Sequence, residues 1–255
     1  MDRLLMKQIV EEQLALDYGC SVEELRSDKN IFQLMRHTQG ERPVGDKDMA
    51  FKLAVYNEKL LVMAEKEILD WCREKLADKK AEWISEPGNL IRIHEKLTEA
   101  GQKLADVHHY YIPAAAGVKP DVNCRLEVYR GEEILRFRED DRFGEALLFD
   151  ENMPDMLAVA AVEDDEILGL AGATKDTEYM WQLGVNVTEA GKGKGIGACV
   201  VAALKEEVLR EGKVPFYATV ESHIKSQKAA IRAGFEPVFY EMFSKLAIYK
   251  QKKIR

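Results

Sequence analysis

The segment Val185–Ala198 reads Val-Asn-Val-Thr-Glu-Ala-Gly-Lys-Gly-Lys-Gly-Ile-Gly-Ala and decides the fold of the second half of the chain. Large apolar or aromatic residues occupy every second position from Tyr179 to Val187, which predicts a long β-strand. The residues after the glycines predict a helix from about Gly195 to Arg210, ended by Gly212. The sequence therefore predicts a strand that enters a glycine-rich loop and opens a helix.

The loop Lys192–Gly197 has the properties of an anion site. Glycines allow the backbone to approach a ligand without an intervening side chain. The first N–H groups of the following helix lack intrahelical partners, and the helix dipole adds partial positive charge there. Lys192 and Lys194 contribute two further charges. We therefore expect a pyrophosphate to bind at this loop.

Two nucleotide-binding motifs compete for the loop and fit it poorly. A P-loop needs a Lys-Ser or Lys-Thr pair after its last glycines, and none follows Gly197. A Rossmann fingerprint needs Gly-x-Gly-x-x-Gly near the start of a βαβ unit, and Gly191, Gly193 and Gly195 are spaced differently. Three strands that look antiparallel precede the loop, predicted at Leu157–Val162, Glu166–Thr174 and Tyr179–Val187.

A second motif follows the next predicted strand, Val214–Val220. His223-Ile-Lys-Ser226 leads into a predicted helix, capped by Ser222 and ending near Arg232, before Gly234-Phe235. The two motifs together resemble the GNAT superfamily of acyl-CoA-dependent N-acetyltransferases. That superfamily shows [Arg/Gln]-x-x-Gly-x-[Gly/Ala] after a Val-x-Val strand, then Asn-x-x-[Ser/Ala] and Gly-[Phe/Tyr]. Lys192 and His223 depart from its Arg/Gln and Asn positions.

The resemblance covers roughly Cys124–Leu246 and implies an α+β fold, with a central mixed, mostly antiparallel sheet flanked by helices. A smaller α+β domain is expected in the first half, with the boundary in the Pro-, Gly- and Ala-rich segment Ile112–Pro120. We therefore predict domains at 1–117 and 118–255. In the first domain, periodicity and capping patterns predict helices at Asp2–Leu16, after Ser21, at Glu67–Leu76 and Leu90–Ala105, and a hairpin at Phe51–Met63.

The resemblance also implies acetyl-CoA as the co-substrate. Its pantetheine arm would pair with the backbone of a strand, as a peptide does in β-augmentation. The residues that the resemblance assigns to cofactor binding are Val185, Val187, Lys192, Gly193, Lys194, Gly195, Ile196, Gly197, Ala198 and Ser226.

Acetyl transfer by direct attack of an amine requires a base, and an acid assists the leaving thiolate. Glu178, just before the central strand, and Glu221, at the end of the next strand, are the candidate bases. Many superfamily members carry the acid as a tyrosine four residues before the Gly-Phe pair, where this chain has Ala230. Either the thiolate leaves without help, or another group serves, with Tyr217, Ser226 and Tyr240 as the alternatives. The backbone N–H of Val187 is the candidate oxyanion donor.

Composition excludes several other classes of function. The formal net charge of -8 argues against nucleic acid as a partner, since phosphate binding needs a basic face. No apolar run approaches the roughly 18 residues of a membrane span, and residues 1–7 do not resemble a signal peptide. Four scattered cysteines without a Cys-x-x-Cys pair predict neither zinc nor disulfides and fit a reducing cytosol.

His108-His109-Tyr110 is expected to lie in a strand, where adjacent side chains face opposite sides and do not share one metal. We expect no metal site, and these residues are candidates to wall the acceptor cleft. The leading hypothesis is a cytoplasmic N-acetyltransferase for a small-molecule or peptide amine, with a homodimer allowed for. The alternative is a catalytically weak or inactive acyl-CoA sensor, motivated by Ala230. A third is an interaction protein whose N-terminal half binds a partner.

Overall fold

The computed structural model describes residues 1–45, 47–114 and 124–247, without the side chain of Asp106. The chain divides into two compact units. Residues 1–11 and 109–238 form the first, called here the loop unit, and residues 12–108 and 239–255 form the second, called the hairpin unit. The predicted boundary between residues 117 and 118 lies outside the described residues. The units also differ from that division, because residues 1–11 belong to the loop unit and residues 239–247 belong to the hairpin unit.

The elements of the first half are α1 (Arg3–Asp17), α2 (Val22–Arg26), β1 (Ile31–Leu34), β2 (Phe51–Tyr56), β3 (Lys59–Ala64), α3 (Lys66–Leu76), α4 (Pro87–Glu99) and β4 (Gln102–Pro113). Those of the second half are β5 (Arg125–Arg130), β6 (Asp155–Glu163), β7 (Glu166–Lys175), β8 (Met180–Val187), α5 (Ile196–Arg210), β9 (Val214–Val220), α6 (Ile224–Arg232) and β10 (Phe235–Leu246). Short 3₁₀ turns lie at Ala81–Trp83, Gly131–Phe137, Asp141–Phe143 and Glu189–Gly191.

Local signals predicted most of these elements. The hairpin is confirmed, and its two-residue turn, Asn57-Glu58, has positive φ at both positions, which matches the twist of the flanking strands. The capping box at Ser21 is confirmed as well. The predicted helix 90–105 is wrong in extent: α4 ends at Glu99, and Gly101 at a φ of 70° turns the chain into β4. The predicted cap Ser222 is also wrong, because His223 is the N-cap of α6 and makes no side-chain cap.

The loop unit contains the predicted mixed, mostly antiparallel sheet, which is thereby confirmed. Its strand order is β9-β8-β7-β6-β5, with antiparallel pairs from β5 to β8 and a parallel pair between β8 and β9. Helix α5 packs on one face over an apolar core that includes Val159, Ala171 and Leu183. A second core, around Phe143 and Leu170, covers the other face.

The central strands of this sheet approach another segment very closely. A Cβ at Gly184 would lie 1.9 Å from the carbonyl oxygen of Glu145, and one at Gly172 would lie 2.1 Å from that of Ala146. Only glycine permits this approach. The Oδ1 of Asn186 accepts hydrogen bonds from the backbone N–H groups of Glu145 (2.9 Å) and Ala146 (2.7 Å). The end of β8 is therefore fixed on one face by backbone and side-chain contacts together.

The hairpin unit is built on strands β1-β3-β2-β10, with α3 and α4 over an apolar core. It also encloses charges. Arg42 donates from Nε to Asp17 (2.5 Å) and from Nη2 to Glu241 (3.0 Å), and each of the three side chains is at most 1% exposed. The hydroxyl of Tyr18 donates to the same Glu241 carboxylate at 2.7 Å. Among the described residues, no helix is long and apolar enough to span a membrane.

Candidate active site

The site begins where β8 and β9 separate. Their parallel pairing runs from Met180 opposite Val214 to Leu183 opposite Tyr217. Within the described part of the chain, residues 184–187 of β8 have no partner on β9, although they remain paired with β7 on the other side. The two strands therefore open into a wedge beyond Leu183.

Backbone polar groups of β8 point into this wedge. The N–H of Thr188 donates to the carbonyl of Leu168 at 3.0 Å, which makes this a hydrogen-bonded pair directed toward β7. Because backbone groups alternate in direction along a strand, those of Val187 and Val185 point away from β7 and toward the wedge. An extended ligand with its own amides fits between the strands there as an added strand would.

The glycine-rich loop adopts a conformation that its sequence requires. Gly193 and Gly195 have φ values of 77° and 79°, in the left-handed region that favours glycine. A Cβ at Gly191 would lie 2.1 Å from the carbonyl oxygen of Leu168. The first bond of α5 runs from the N–H of Cys199 to Gly195, so the three N–H groups before it have no intrahelical acceptor. These groups belong to Ile196, Gly197 and Ala198.

The wedge and the loop share one open cleft of about 620 Å³. Tyr217 and helix α6 form its opposite wall. Of the predicted cofactor residues, those that line the cleft are Val185, Val187, Lys192, Gly193, Gly195, Ile196, Gly197, Ala198 and Ser226. Lys194 is the exception, and its Nζ pairs with Glu163 at 2.9 Å. Lys192 lines the cleft but is paired with Glu189.

Residues 126–235 match the model of the Acetyltransferase (GNAT) family. This segment is a GNAT acetyltransferase domain. The match spans β5 to the start of β10 and includes the wedge, the loop and α6. The family resemblance inferred from the two glycine motifs is thereby confirmed. The domain belongs to a family of acyltransferases that bind acyl-CoA and act on amine acceptors.

Several solved structures are similar to the chain at low identity. A GCN5-related N-acetyltransferase from Sphaerobacter thermophilus has 13% identity and a TM-score of 0.48, covering 92% of this chain and 91% of that one. A GCN5-related N-acetyltransferase-like protein from Streptococcus suis 89/1591 has 13% identity and a TM-score of 0.45, covering 93% and 97%. A GNAT-family protein from Novosphingobium aromaticivorans DSM 12444 has 13% identity and a TM-score of 0.41, covering 56% of this chain and 66% of that one. No curated protein matches the chain significantly.

Tyr217 and Ser226 form a hydrogen-bonded pair inside the GNAT cleft, with 2.8 Å between their hydroxyl oxygens. Tyr217 is only 3% exposed. Burial raises the pKa of Tyr217, and the hydrogen bond from Ser226 offsets part of that increase. Tyr217 therefore carries its proton at neutral pH, as a proton donor must. Ala230, at the family's usual tyrosine position, is fully buried in the core beneath α6.

Glu178 lies at the wrong end of β8 for the chemistry. It precedes the strand, whereas the loop follows the strand's other end, and a strand of eight residues spans roughly 26 Å. Its carboxylate also pairs with Lys175 (3.0 Å) and Lys213 (3.1 Å). Hydrogen bonds from these two lysines lower the pKa of Glu178, which weakens it as a base. Its position and its ion pairs argue against the base role predicted for it.

Glu221 follows the end of β9, on the side where the wedge opens. Its Oε1 lies 3.9 Å from Nε2 of His109 on β4, and its side chain is 58% exposed. Tyr240 is a core residue of the hairpin unit, packed among its buried apolar side chains. His108 belongs to the same unit and stacks on Phe243. Of the predicted catalytic residues, the GNAT domain thus contains Glu178 and Glu221.

Four basic or histidine residues that line the cleft were not assigned to it from the sequence. His223, the N-cap of α6, and Lys225, Lys228 and Arg232 within the helix all line the cleft. No Asp or Glu is among the described residues that line the same cleft. The spacing of the three cations by three and four positions is the signal that predicts one helix face. Separately, the described residues contain no group of three or more His, Cys, Asp or Glu arranged to hold a metal ion.

Proposed function

We propose that this protein is an N-acetyltransferase that transfers the acetyl group of acetyl-CoA to the amine of a small molecule or peptide. The observation that carries the proposal is the wedge at the end of β8, which opens directly onto the glycine loop and the Tyr217–Ser226 pair. Backbone amides, an anion site and a proton donor thus share one cleft. These are the groups that a phosphorylated thioester with an amide-bearing arm requires.

Binding is assigned mainly to the backbone. The pantetheine amides pair with the exposed groups of Val185 and Val187. The diphosphate accepts hydrogen bonds from N–H groups of the loop and of the first turn of α5, those of Gly193 and of residues 195–198, at the positive end of α5. The N–H of Lys194 is excluded because it donates to the carbonyl of Gly191. Backbone donors suit this role because the strand and the helix fix their directions before the ligand arrives.

The chemistry is direct attack on the thioester. The amine nitrogen forms a bond to the carbonyl carbon, and the developing oxyanion accepts a hydrogen bond from the N–H of Val187. The C–N bond persists while the C–S bond breaks, and the sulfur leaves as a thiolate. Tyr217 then protonates the thiolate and regains a proton from solvent through Ser226. In this proposal the general acid belongs to β9, whereas the family's usual tyrosine position is on α6. The proton lost by the amine passes to Glu221, whose neighbour is His109.

A second candidate function is an acyl-CoA sensor without turnover. Ala230 favours it, because the family's usual acid position holds a buried methyl group. The two functions separate in an assay of free CoA thiol release from acetyl-CoA, run against polyamines, aminoglycosides, amino acids and peptide N-termini. We expect at least one amine class to stimulate release well above the rate of hydrolysis. Binding of acetyl-CoA without stimulated release by any amine would overturn the enzyme proposal and support the sensor.

A further inference from the structure

We propose that Cys124 and Cys199 form a regulatory disulfide by exchange with a low-molecular-weight disulfide such as oxidised glutathione, and that this bond weakens the binding of acetyl-CoA. Formation of the bond depends on the two cysteines alone, whereas its effect on acetyl-CoA rests on the proposed function. All four cysteines are free thiols in the structure, which therefore shows the reduced state.

The two thiols meet although they are distant in the chain. Cys124 lies directly before β5, and Cys199 lies in the first turn of α5. Their side chains are joined by a hydrogen bond, in which one thiol donates to the sulfur of the other. Two thiols that already touch need only a small movement to form a disulfide.

Contacts that do not involve sulfur bring the same two segments together. Arg125, the neighbour of Cys124, stands opposite Val162 in the pairing of β5 with β6. Lys194, just before α5, forms an ion pair of 2.9 Å with Glu163, the last residue of β6. Helix α5 also packs on β6. Strand pairing and helix packing therefore place the start of β5 and the start of α5 at one end of β6.

Exposure determines the order of the exchange. Cys199 is 6% exposed, and burial, with the nearby Cys124 as a second cause, raises the pKa of its thiol to about 11. External reagents therefore react first with the partly exposed Cys124.

The exchange proceeds in two balanced steps. The thiolate of Cys124, whose proton has gone to solvent, attacks one sulfur of glutathione disulfide, and the first glutathione leaves as a thiolate and takes up a proton. Cys199 then releases its proton, and its sulfur attacks that of Cys124 and displaces the second glutathione in the same way. Two protein thiols and one glutathione disulfide thus give one protein disulfide and two glutathione thiols.

The bond acts on the turn that is proposed to hold the diphosphate. The N–H of Cys199 makes the first bond of α5, to Gly195, and the preceding residues Gly197 and Ala198 line the cleft. Strand β6 is two strands away from β8, on the side remote from β9 and the wedge. Drawing the sulfur of Cys199 toward Cys124 therefore moves this turn away from the ligand. By linkage, a bound ligand opposes the disulfide by the same factor.

The test measures the bond and the ligand separately. The full chain is equilibrated with graded ratios of reduced to oxidised glutathione, with and without acetonyl-CoA, a thioether analogue of acetyl-CoA that does not exchange with thiols. After alkylation, mass spectrometry measures the fraction of peptide that links Cys124 to Cys199. We expect the oxidised wild type to bind the analogue about fivefold more weakly by calorimetry, and a saturating amount of analogue to shift the midpoint of oxidation by the same factor.

Serine variants separate this pair from general thiol oxidation. Cys124→Ser should lack the linked peptide and bind the analogue equally well in reducing and oxidising buffer. Cys20→Ser is the matched control, because Cys20 is also partly exposed but belongs to the hairpin unit, and it should behave as the wild type does. If Cys124→Ser melts early, Cys124→Ala repeats the comparison.

The outcomes distinguish this proposal from the proposed function. Absence of the linked peptide at every glutathione ratio, or equal affinity of the reduced and oxidised wild type for the analogue, would overturn the regulatory disulfide and leave acetyl-CoA binding in place. Absence of binding to the reduced protein would overturn the proposed function and the regulatory effect, while the linked peptide would still show whether the bond forms.

Discussion

The loop unit and the hairpin unit differ in how their polar groups are paired. In the loop unit, unpaired backbone groups of β8 and α5 and the cations of α6 face an open cleft. In the hairpin unit, Asp17, Arg42 and Glu241 satisfy one another away from solvent. Groups that are left unpaired next to a cavity are prepared for a ligand, whereas groups paired in a core maintain the fold. We therefore attribute the proposed ligand binding to the loop unit, and stability to the buried charges of the hairpin unit.

The largest expected effect comes from breaking the buried charge cluster. Arg42→Met leaves Asp17 and Glu241 as uncompensated buried carboxylates, and we expect a loss of about 3–5 kcal/mol in the free energy of unfolding. Urea titration followed by circular dichroism measures it. The matched control is Arg73→Met, because Arg73 and its partner Asp70 are about half exposed, and its cost should stay below about 1 kcal/mol. A loss below 1 kcal/mol for Arg42→Met would show that the cluster does not hold the unit together.

Next in size is the effect of replacing a loop glycine. Gly193 has a φ of 77°, and a Cβ added there would meet no neighbouring atom. Gly212, which follows the end of α5, has a φ of 72° and equally open space around an added Cβ. A β-branched residue costs about 2 kcal/mol in that backbone region, so Gly193→Val should shift the loop away from its binding conformation. We expect affinity for acetyl-CoA to fall about thirtyfold.

Gly212→Val provides the control for backbone strain alone. It should lose comparable stability and keep its affinity for acetyl-CoA, because Gly212 is outside the described lining of the cleft. Titration calorimetry and thermal melting of both variants check the pair. Equal affinity in the two variants would mean that the loop conformation does not bind the phosphates.

A smaller effect is expected when the proposed acid is removed. Tyr217→Phe should lower kcat about tenfold and leave acetyl-CoA affinity unchanged, because the hydroxyl acts on the departing thiolate rather than on binding. Burial raises the pKa of Tyr217, so the wild type should show no loss of rate from its ionisation below about pH 10. Steady-state kinetics across pH measures both quantities. A kcat equal to that of the wild type would remove Tyr217 from the mechanism.

The smallest effect concerns the alkaline stability of the hairpin unit. Burial, followed by the nearby Glu241, raises the pKa of Tyr18 well above its ordinary value. The unfolded chain loses the phenol proton of Tyr18 near pH 10, whereas the folded chain keeps it to a higher pH. The free energy of unfolding is therefore unaffected by this group below about pH 10 and falls as the pH rises above that value. Tyr18 should therefore account for a loss of about 1 kcal/mol between pH 10 and pH 11. Between pH 10 and pH 11, the free energy of unfolding of Tyr18→Phe should fall by that much less than that of the wild type. The same fall in both proteins would exclude a contribution from Tyr18.

The contrast between the units also explains what sequence could predict. The pattern of Val185–Ala198 is local, because neighbouring residues determine the strand, the glycine conformations and the helix start. Arg42 and Glu241 are 199 positions apart, so no local pattern indicates their ion pair. The sequence indicates the direction of β8 and therefore the end of the strand at which Glu178 lies. The ion pairs of Glu178 with Lys175 and Lys213 become evident only in the folded structure. The spacing of the α6 cations predicts that they share one helix face, but only the structure shows that this face lines the cleft.

Thermal unfolding of the full chain with increasing acetyl-CoA tests the central claim most directly, because a ligand bound to the folded state alone must stabilise it. At acetyl-CoA concentrations 100 times the dissociation constant, the gain is about 2.7 kcal/mol. We predict a melting temperature that rises steadily with acetyl-CoA in the wild type and needs roughly thirtyfold more ligand in Gly193→Val. An unchanged melting temperature at millimolar acetyl-CoA would contradict the assignment of the wedge and the glycine loop as its binding site.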